Sequence, residues 1–139
     1  MKTVFIATPM SAFTKKEYAE LRALLTPVVK NSKNEVFAEI VSIEQDKFMT
    51  PTDATLRDID AVLKADLFIM IHPAAKQTST LFELGIAFAH NKEILILFKD
   101  YEDLPFMLKE LDMVSENVRL CKYIDAKGIS KTFREELVF

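Results

Sequence analysis

The sequence predicts an α/β protein built on a doubly wound, five-stranded parallel sheet, and three observations lead there. Short apolar segments alternate with segments of helical periodicity along all 139 residues. The apolar segments do not alternate with polar residues, as in Leu67-Phe68-Ile69-Met70-Ile71 and Ile94-Leu95-Ile96-Leu97-Phe98. Such strands are covered on both faces, which is the habit of parallel sheets. The length suits one domain with a real core and is short for two, so residues 1–139 are read as a single domain.

Val4–Thr8 reads as the first buried strand, broken by Pro9, Ser11 and Thr14 before a helix over about Lys15–Lys30. Tyr18, Leu21, Leu24, Leu25 and Val28 mark its apolar face at helical spacing. Asn31-Ser32-Lys33-Asn34 is a turn, and Val36–Val41 is the second strand. Ser42–Thr52 is polar and irregular with Phe48 and Met49 embedded, longer than a compact domain usually carries, which makes it a candidate lid or binding loop. Thr52 or Asp53 is positioned to cap a helix to about Ala65, with Leu56, Ile59, Val62 and Leu63 on one face.

The third strand is 67–71, a helix runs from about Thr78 to His90, and the fourth strand is 94–98. A helix is expected within 103–114, a fifth strand near 118–124, and a short helix near 129–137. Tyr101, Leu104, Phe106, Met107, Leu108 and Met113 of 101–114 are a candidate surface for oligomerisation, although their periodicity better fits the inner face of a helix. Right-handed crossovers then point to the flavodoxin-like, Rossmann-like strand order 2-1-3-4-5. Its switch point lies between the first and third strands, so loops 8–14 and 72–82 open on one crevice.

Composition narrows the function. Half the residues are hydrophobic, 28% are charged and the net charge is −3, a balance that fits a soluble globular protein and disfavours nucleic acid as a partner. The apolar runs are roughly a quarter of the length of a membrane-spanning helix. Met1-Lys2-Thr3 leads straight into Val4–Ala7, more like a strand than a secretory signal, so a cytoplasmic location is expected. The single Cys121 reads as a strand residue, and His72 and His90 lack the i, i+4 spacing of a zinc site, so no metal is expected. With only Gly85 and Gly128, the chain has neither a dinucleotide fingerprint nor a P-loop, and no Gly-x-Ser-x-Gly elbow.

Glu83 sits among apolar neighbours in Leu81-Phe82-Glu83-Leu84-Gly85-Ile86-Ala87, just past the loop that follows the third strand. A buried carboxylate is costly unless it is satisfied or used. Glu83 would suit attack on an anomeric carbon, with Asp58 as a second carboxyl handling the proton. The plainer alternative for Glu83 is a first-turn acid favoured by the helix dipole. For Asp58 it is a solvated residue pairing with Arg57 or Lys64. Asp66, at the helix–strand junction, fits backbone bonding better than chemistry. Thr78, Ser79 and Thr80 offer hydroxyls and amides at a helix N-terminus to a sugar or anion, or simply cap it.

Asp58-x7-Asp66, an apolar strand, a loop, and Phe82-Glu83-Leu84-Gly85-x-Ala87-x4-Lys92-x2-Leu95 together resemble the nucleoside 2-deoxyribosyltransferases and the deoxynucleoside 5′-monophosphate N-glycosidases. With Phe5-Ile6-Ala7-Thr8-Pro9 the resemblance spans roughly residues 3–100. It implies a flavodoxin-like fold, a nucleoside or nucleotide substrate, Glu83 as the nucleophile at C1′ and Asp58 as the assisting acid, with no cofactor or metal. It also implies a homo-oligomer in which neighbouring subunits complete the pocket. Thr8, Pro9, Met10, Phe13, His72 and Ser79 are the expected substrate-binding residues, and Phe13, Phe48 or Phe82 would stack on a base.

The chain departs from the family at three places. Thr78, Ser79 and Thr80 replace glycines before the glutamate, and Phe5 stands near where many members carry tyrosine. Thr8-Pro9-Met10-Ser11-Ala12-Phe13 does not match the Gly-, Ser- and Arg-rich phosphate-binding run of the monophosphate glycosidases, although Ser11, Thr14 and Lys15 could substitute in part. Two other readings are therefore kept: a catalytically silent nucleotide-binding or signalling module, and an NAD glycohydrolase of Toll/interleukin-receptor-like type. The Asp58-x7-Asp66 spacing favours the deoxyribosyl reading over the latter.

Overall fold

The computed structural model describes residues 1–41, 49–74 and 79–137. Five strands, β1 (Thr3–Ala7), β2 (Glu35–Ala38), β3 (Leu67–His72), β4 (Glu93–Phe98) and β5 (Val118–Lys122), form one sheet of order β2-β1-β3-β4-β5. Every neighbouring pair is parallel, so the layout is the doubly wound, flavodoxin-like one predicted.

Side-chain alternation along the strands supplies two separate cores. Val4, Ile6, Ile69, Ile71, Leu95 and Leu97 pack with Leu21 and Leu25 of α1 (Lys15–Asn31) and with Ile129 and Phe133 near the chain's end. On the other face Phe5, Phe68, Met70, Ile94 and Ile96 meet Val62 of α2 (Pro51–Lys64) and Leu84 and Ala87 of α3 (Ser79–Ala89). Phe37, Phe5 and Phe68 stand side by side in register on β2, β1 and β3. Their rings stack at centroid distances of 5.1 and 5.5 Å.

Local chemistry explains the helix ends. Thr14 accepts from the Glu17 amide while the Glu17 side chain accepts from the Thr14 amide, a reciprocal cap that starts α1. Thr50 caps α2 by accepting from the Asp53 amide, with Pro51 in the first turn. The cap is therefore Thr50 rather than Thr52 or Asp53, because proline's fixed φ suits the first helical position. Helix α3 stops where Asn91 takes a φ of 57°, and the Asn91 and Lys92 amides turn back to the carbonyls of Phe88 and Ala87.

Three expectations change. Strand β2 ends at Ala38, and residues 39–41 are helical, so Glu39 stands at the strand's carboxyl end instead of within it. No long helix forms in 101–114. Two 3-10 turns, Tyr101–Asp103 and Phe106–Leu108, and a single-turn helix α4 (Leu111–Val114) take its place, since Pro105 supplies no amide donor there. Only Leu104 of that segment is buried among the large apolar residues, while Phe106 is 90% exposed. The last helix, α5 (Ala126–Glu136), begins earlier than expected because Asp125 caps it through the Gly128 amide. Cys121 lies on β5 at the sheet's edge and is exposed. Most of the candidate lid, residues 42–48 with Phe48, lies outside the described residues.

Candidate active site

The chain just past the carboxyl ends of β1 and β2 and the N-terminal halves of α2 and α3 surround a cleft with two lobes. The larger, about 470 Å³, is lined by Pro51, Ala54, Asp58, Ile59 and Phe82 together with Glu39, Ser79 and Glu83. The smaller, about 200 Å³, is lined by Thr8, Pro9, Met10, Ser11 and Thr80, again with Glu39, Ser79 and Glu83. Glu83 thus stands at the junction of the lobes. Its residue is only 6% exposed.

Glu83 is the fifth residue of α3, past the first turn, and no acid occupies that first turn. The helix dipole decays within the first turn, so the simple dipole explanation for this acid fails. Burial, then the negative charges of Asp58 and Glu39, then a hydrogen bond to Asp58 push the Glu83 carboxyl up to about 9; the Arg57 guanidinium pulls the other way. Glu83 therefore enters neutral solution protonated, with Asp58 as its immediate proton partner.

Asp58 is held from its other side. Arg57 donates from Nε and one Nη to Asp58 Oδ1 at 3.0 and 2.9 Å, and its other Nη lies 3.1 Å from Met49 Sδ. The guanidinium carbon sits 5.1 Å from the centroid of the Phe37 ring, a cation–π contact on the end of the phenylalanine row. The expected Arg57–Asp58 pair is thus real, yet Asp58 also lines the cleft, so pairing does not make it a merely solvated residue. Lys64 instead pairs with Asp60 at 2.8 Å. Asp66 takes the backbone role foreseen for it, accepting from the Thr3 amide at 2.9 Å and joining the starts of β1 and β3.

Thr8, Pro9, Met10 and Ser79 line the small lobe, and Phe82 lines the large one while 56% exposed. Two expected substrate-binding residues are placed elsewhere. Phe13 packs against the α1-side core and lines a different hollow with Glu17, Lys99 and Tyr123, because the chain turns away after Ala12. His72, fully buried at the end of β3, lies 2.9 Å through Nε2 from the Asp103 carbonyl, and so ties β3 to the segment after β4. Phe5 is buried in the phenylalanine row. Lys92 donates to the Leu63 carbonyl at 2.6 Å, so its place in the recognised motif is structural, closing the end of α2.

Sequence reasoning missed Glu39. An acid inside the apolar run Val36–Val41 signals that the strand ends there, but the apolar neighbours mask it. Thr8 and Thr80, each 2% exposed, line the small lobe, while their hydroxyl oxygens are buried and find no hydrogen-bond partner among the described residues. Among the described residues no group of three His, Cys, Asp or Glu is disposed to hold a metal ion. The arrangement that remains is a buried acid, Glu83, where the two lobes meet, with the half-buried Asp58 in the larger lobe.

No family model matches the chain, and no curated protein sequence matches it. Solved structures do. The chain is similar to the CMP N-glycosidase BcmB of Clostridium botulinum, with 28% identity and a TM-score of 0.70 over 96% of this chain and 98% of that one. It superposes on BlsM with a TM-score of 0.74 at 24% identity, over 98% of this chain and 89% of that one. A 2-deoxyribosyltransferase from Leishmania mexicana matches 72% of this chain and 66% of its own, with a TM-score of 0.52 at 23% identity. The last two identities speak to the fold alone. The similarity to an N-glycosidase at 28% identity is consistent with the nucleoside 2-deoxyribosyltransferase and N-glycosidase superfamily that the sequence resembles.

Proposed function

We propose that the protein cleaves or exchanges the N-glycosidic bond of a nucleoside or nucleotide, with Glu83 as nucleophile and Asp58 as its acid partner. The observation that carries this reading is the burial of Glu83 at the neck of a two-lobed cleft, hydrogen-bonded to a second carboxyl. The similarity to a CMP N-glycosidase supports the same bond as the target.

The reaction begins with the pair holding one proton. That proton crosses the hydrogen bond to Asp58, which leaves Glu83 as a carboxylate beside C1′ of the sugar. A Glu83 oxygen bonds to C1′ as the C1′–N bond breaks, and the bond's electron pair goes to the base nitrogen, which takes the proton from Asp58. A second base or a water then attacks C1′ and releases Glu83, with Asp58 accepting the incoming group's proton. Transferase and hydrolase differ only in that last acceptor. Phe82, which lines the larger lobe with Asp58, would stack on the base.

The test is to incubate the protein with deoxynucleosides, their monophosphates and NAD, with and without a free acceptor base, and to follow base release by chromatography. Glu83→Ala is expected to lower turnover by at least about a thousandfold, the scale seen when a catalytic nucleophile is removed. Base release that survives in Glu83→Ala would overturn the assignment, and tight binding without turnover would instead favour the silent module.

A further inference from the structure

Arg57 and Asp58 are consecutive residues of α2, and adjacent side chains on a helix project roughly 100° apart rather than toward each other. Arg57 nevertheless folds back on Asp58. It gives two hydrogen bonds, from Nε at 3.0 Å and from one Nη at 2.9 Å, to the same oxygen, Oδ1. Two further contacts hold the guanidinium there: its other Nη lies 3.1 Å from Met49 Sδ, and its carbon sits 5.1 Å from the Phe37 ring centroid. Phe37 is stacked on Phe5, and Phe5 on Phe68, both buried, so this brace is anchored in the core of the sheet.

We infer that Arg57 is a positioning residue for the acid step: by filling Oδ1 it makes Oδ2 of Asp58 the oxygen that takes the proton from Glu83 and delivers it to the leaving base. The inference rests on the glycosidic reading above. Arg57 is not among the described residues that line either lobe, so it acts through Asp58 rather than on the substrate.

The argument follows from lone pairs. A carboxylate oxygen offers two, and the two guanidinium donors occupy both on Oδ1. With Cγ carried by the helix and Oδ1 pinned, the direction of Oδ2 is set. The proton that leaves Glu83 therefore bonds to Oδ2, and that O–H bond breaks when the base nitrogen takes the proton as the C1′–N bond opens. An unpinned carboxyl would present the proton from either oxygen and in many directions, whereas a general acid works only within hydrogen-bond reach of the atom it protonates. A lysine in place of Arg57 would keep the charge and lose the rigid fork of donors.

The experiment compares two deoxynucleosides. One carries an ordinary base, whose departure needs a proton; the other is 2′-deoxyguanosine methylated at N7, whose base leaves already neutral. Arg57→Met is expected to lower kcat for the ordinary substrate by at least about tenfold, part of the roughly hundredfold or more that a general acid contributes. KM should stay within about twofold, and the methylated substrate should lose no more than about threefold, which also shows that the variant is folded. Arg57→Lys should show the same selective loss, and it decides by the same ratio if Arg57→Met does not fold. Equal losses on the two substrates, a loss carried by KM, or full activity in Arg57→Lys overturns the inference while leaving the glycosidic reading intact. No base release from either substrate by the wild type, or release that Glu83→Ala does not lower, overturns the glycosidic reading and the inference with it.

Discussion

At the scale of single residues, Glu83 is the group around which the chemistry turns, and its environment has a measurable signature. The ordinary carboxyl value of 4.5 applies when the chain is unfolded, whereas burial and neighbouring acids hold it near 9 in the folded protein. Between those values the unfolded chain has lost a proton that the folded chain keeps. Stability therefore falls as pH rises through that window and is level on either side. Glu83→Gln, which keeps the shape and removes the ionisation, is expected to flatten this slope in thermal melts taken from about pH 5 to about pH 9. A slope unchanged by the substitution would mean that Glu83 is not the titrating group. The same proton is needed for base departure, so catalytic turnover should decline as pH climbs past the Glu83 value of about 9.

At the scale of elements, α3 carries the nucleophile on a helix with a soft spot. Gly85 lies on its exposed side, and a Cβ built there would meet nothing within 4 Å. Neither its backbone nor its surroundings require glycine, so Gly85→Ala is expected to stabilise the protein by about 0.5–1 kcal/mol. Urea unfolding measures this. A loss of stability would show that something approaches this face of the helix closely. Helix α2 contributes in another way: Thr50 and Pro51 set where it starts, and that start decides that Asp58 reaches the cleft while Arg57 lies over Phe37.

At the scale of the whole molecule, the segment after β4 leaves Phe106, Met107, Met113 and Val114 exposed. Exposed apolar patches of this kind mark interaction surfaces. Self-association through this segment is the expected outcome, with sedimentation giving a species larger than one chain and Phe106→Ser shifting it toward the monomer. A wild-type protein that sediments as a monomer at micromolar concentration would remove the segment from consideration. No helix among the described residues is long and apolar enough to cross a membrane, so these side chains do not belong to a spanning helix.

The strand order, the two-sided cores and the placement of Glu83 at the carboxyl end of the sheet were legible in the chain itself. Runs such as 67–71 and 94–98 carry their burial in composition, and the alternation with helices leaves few ways to connect a parallel sheet. Asp58 and Asp66 could be named from their spacing, and the backbone role of Asp66 was legible at its helix–strand junction, where it bonds the Thr3 amide, whereas only packing decided that Asp58 faces a cleft. His72 and Phe13 were drawn toward the site by their loops, and the fold turned one to the Asp103 carbonyl and the other to the α1-side core. Glu39 was hidden because an acid at a strand's end looks, in sequence, like one inside it. Local pattern determines which elements form and which faces they bury, since those depend on neighbours in the chain. Which charges share a cleft depends on contacts between β2, α2 and α3, and those distances exist only once the sheet has assembled.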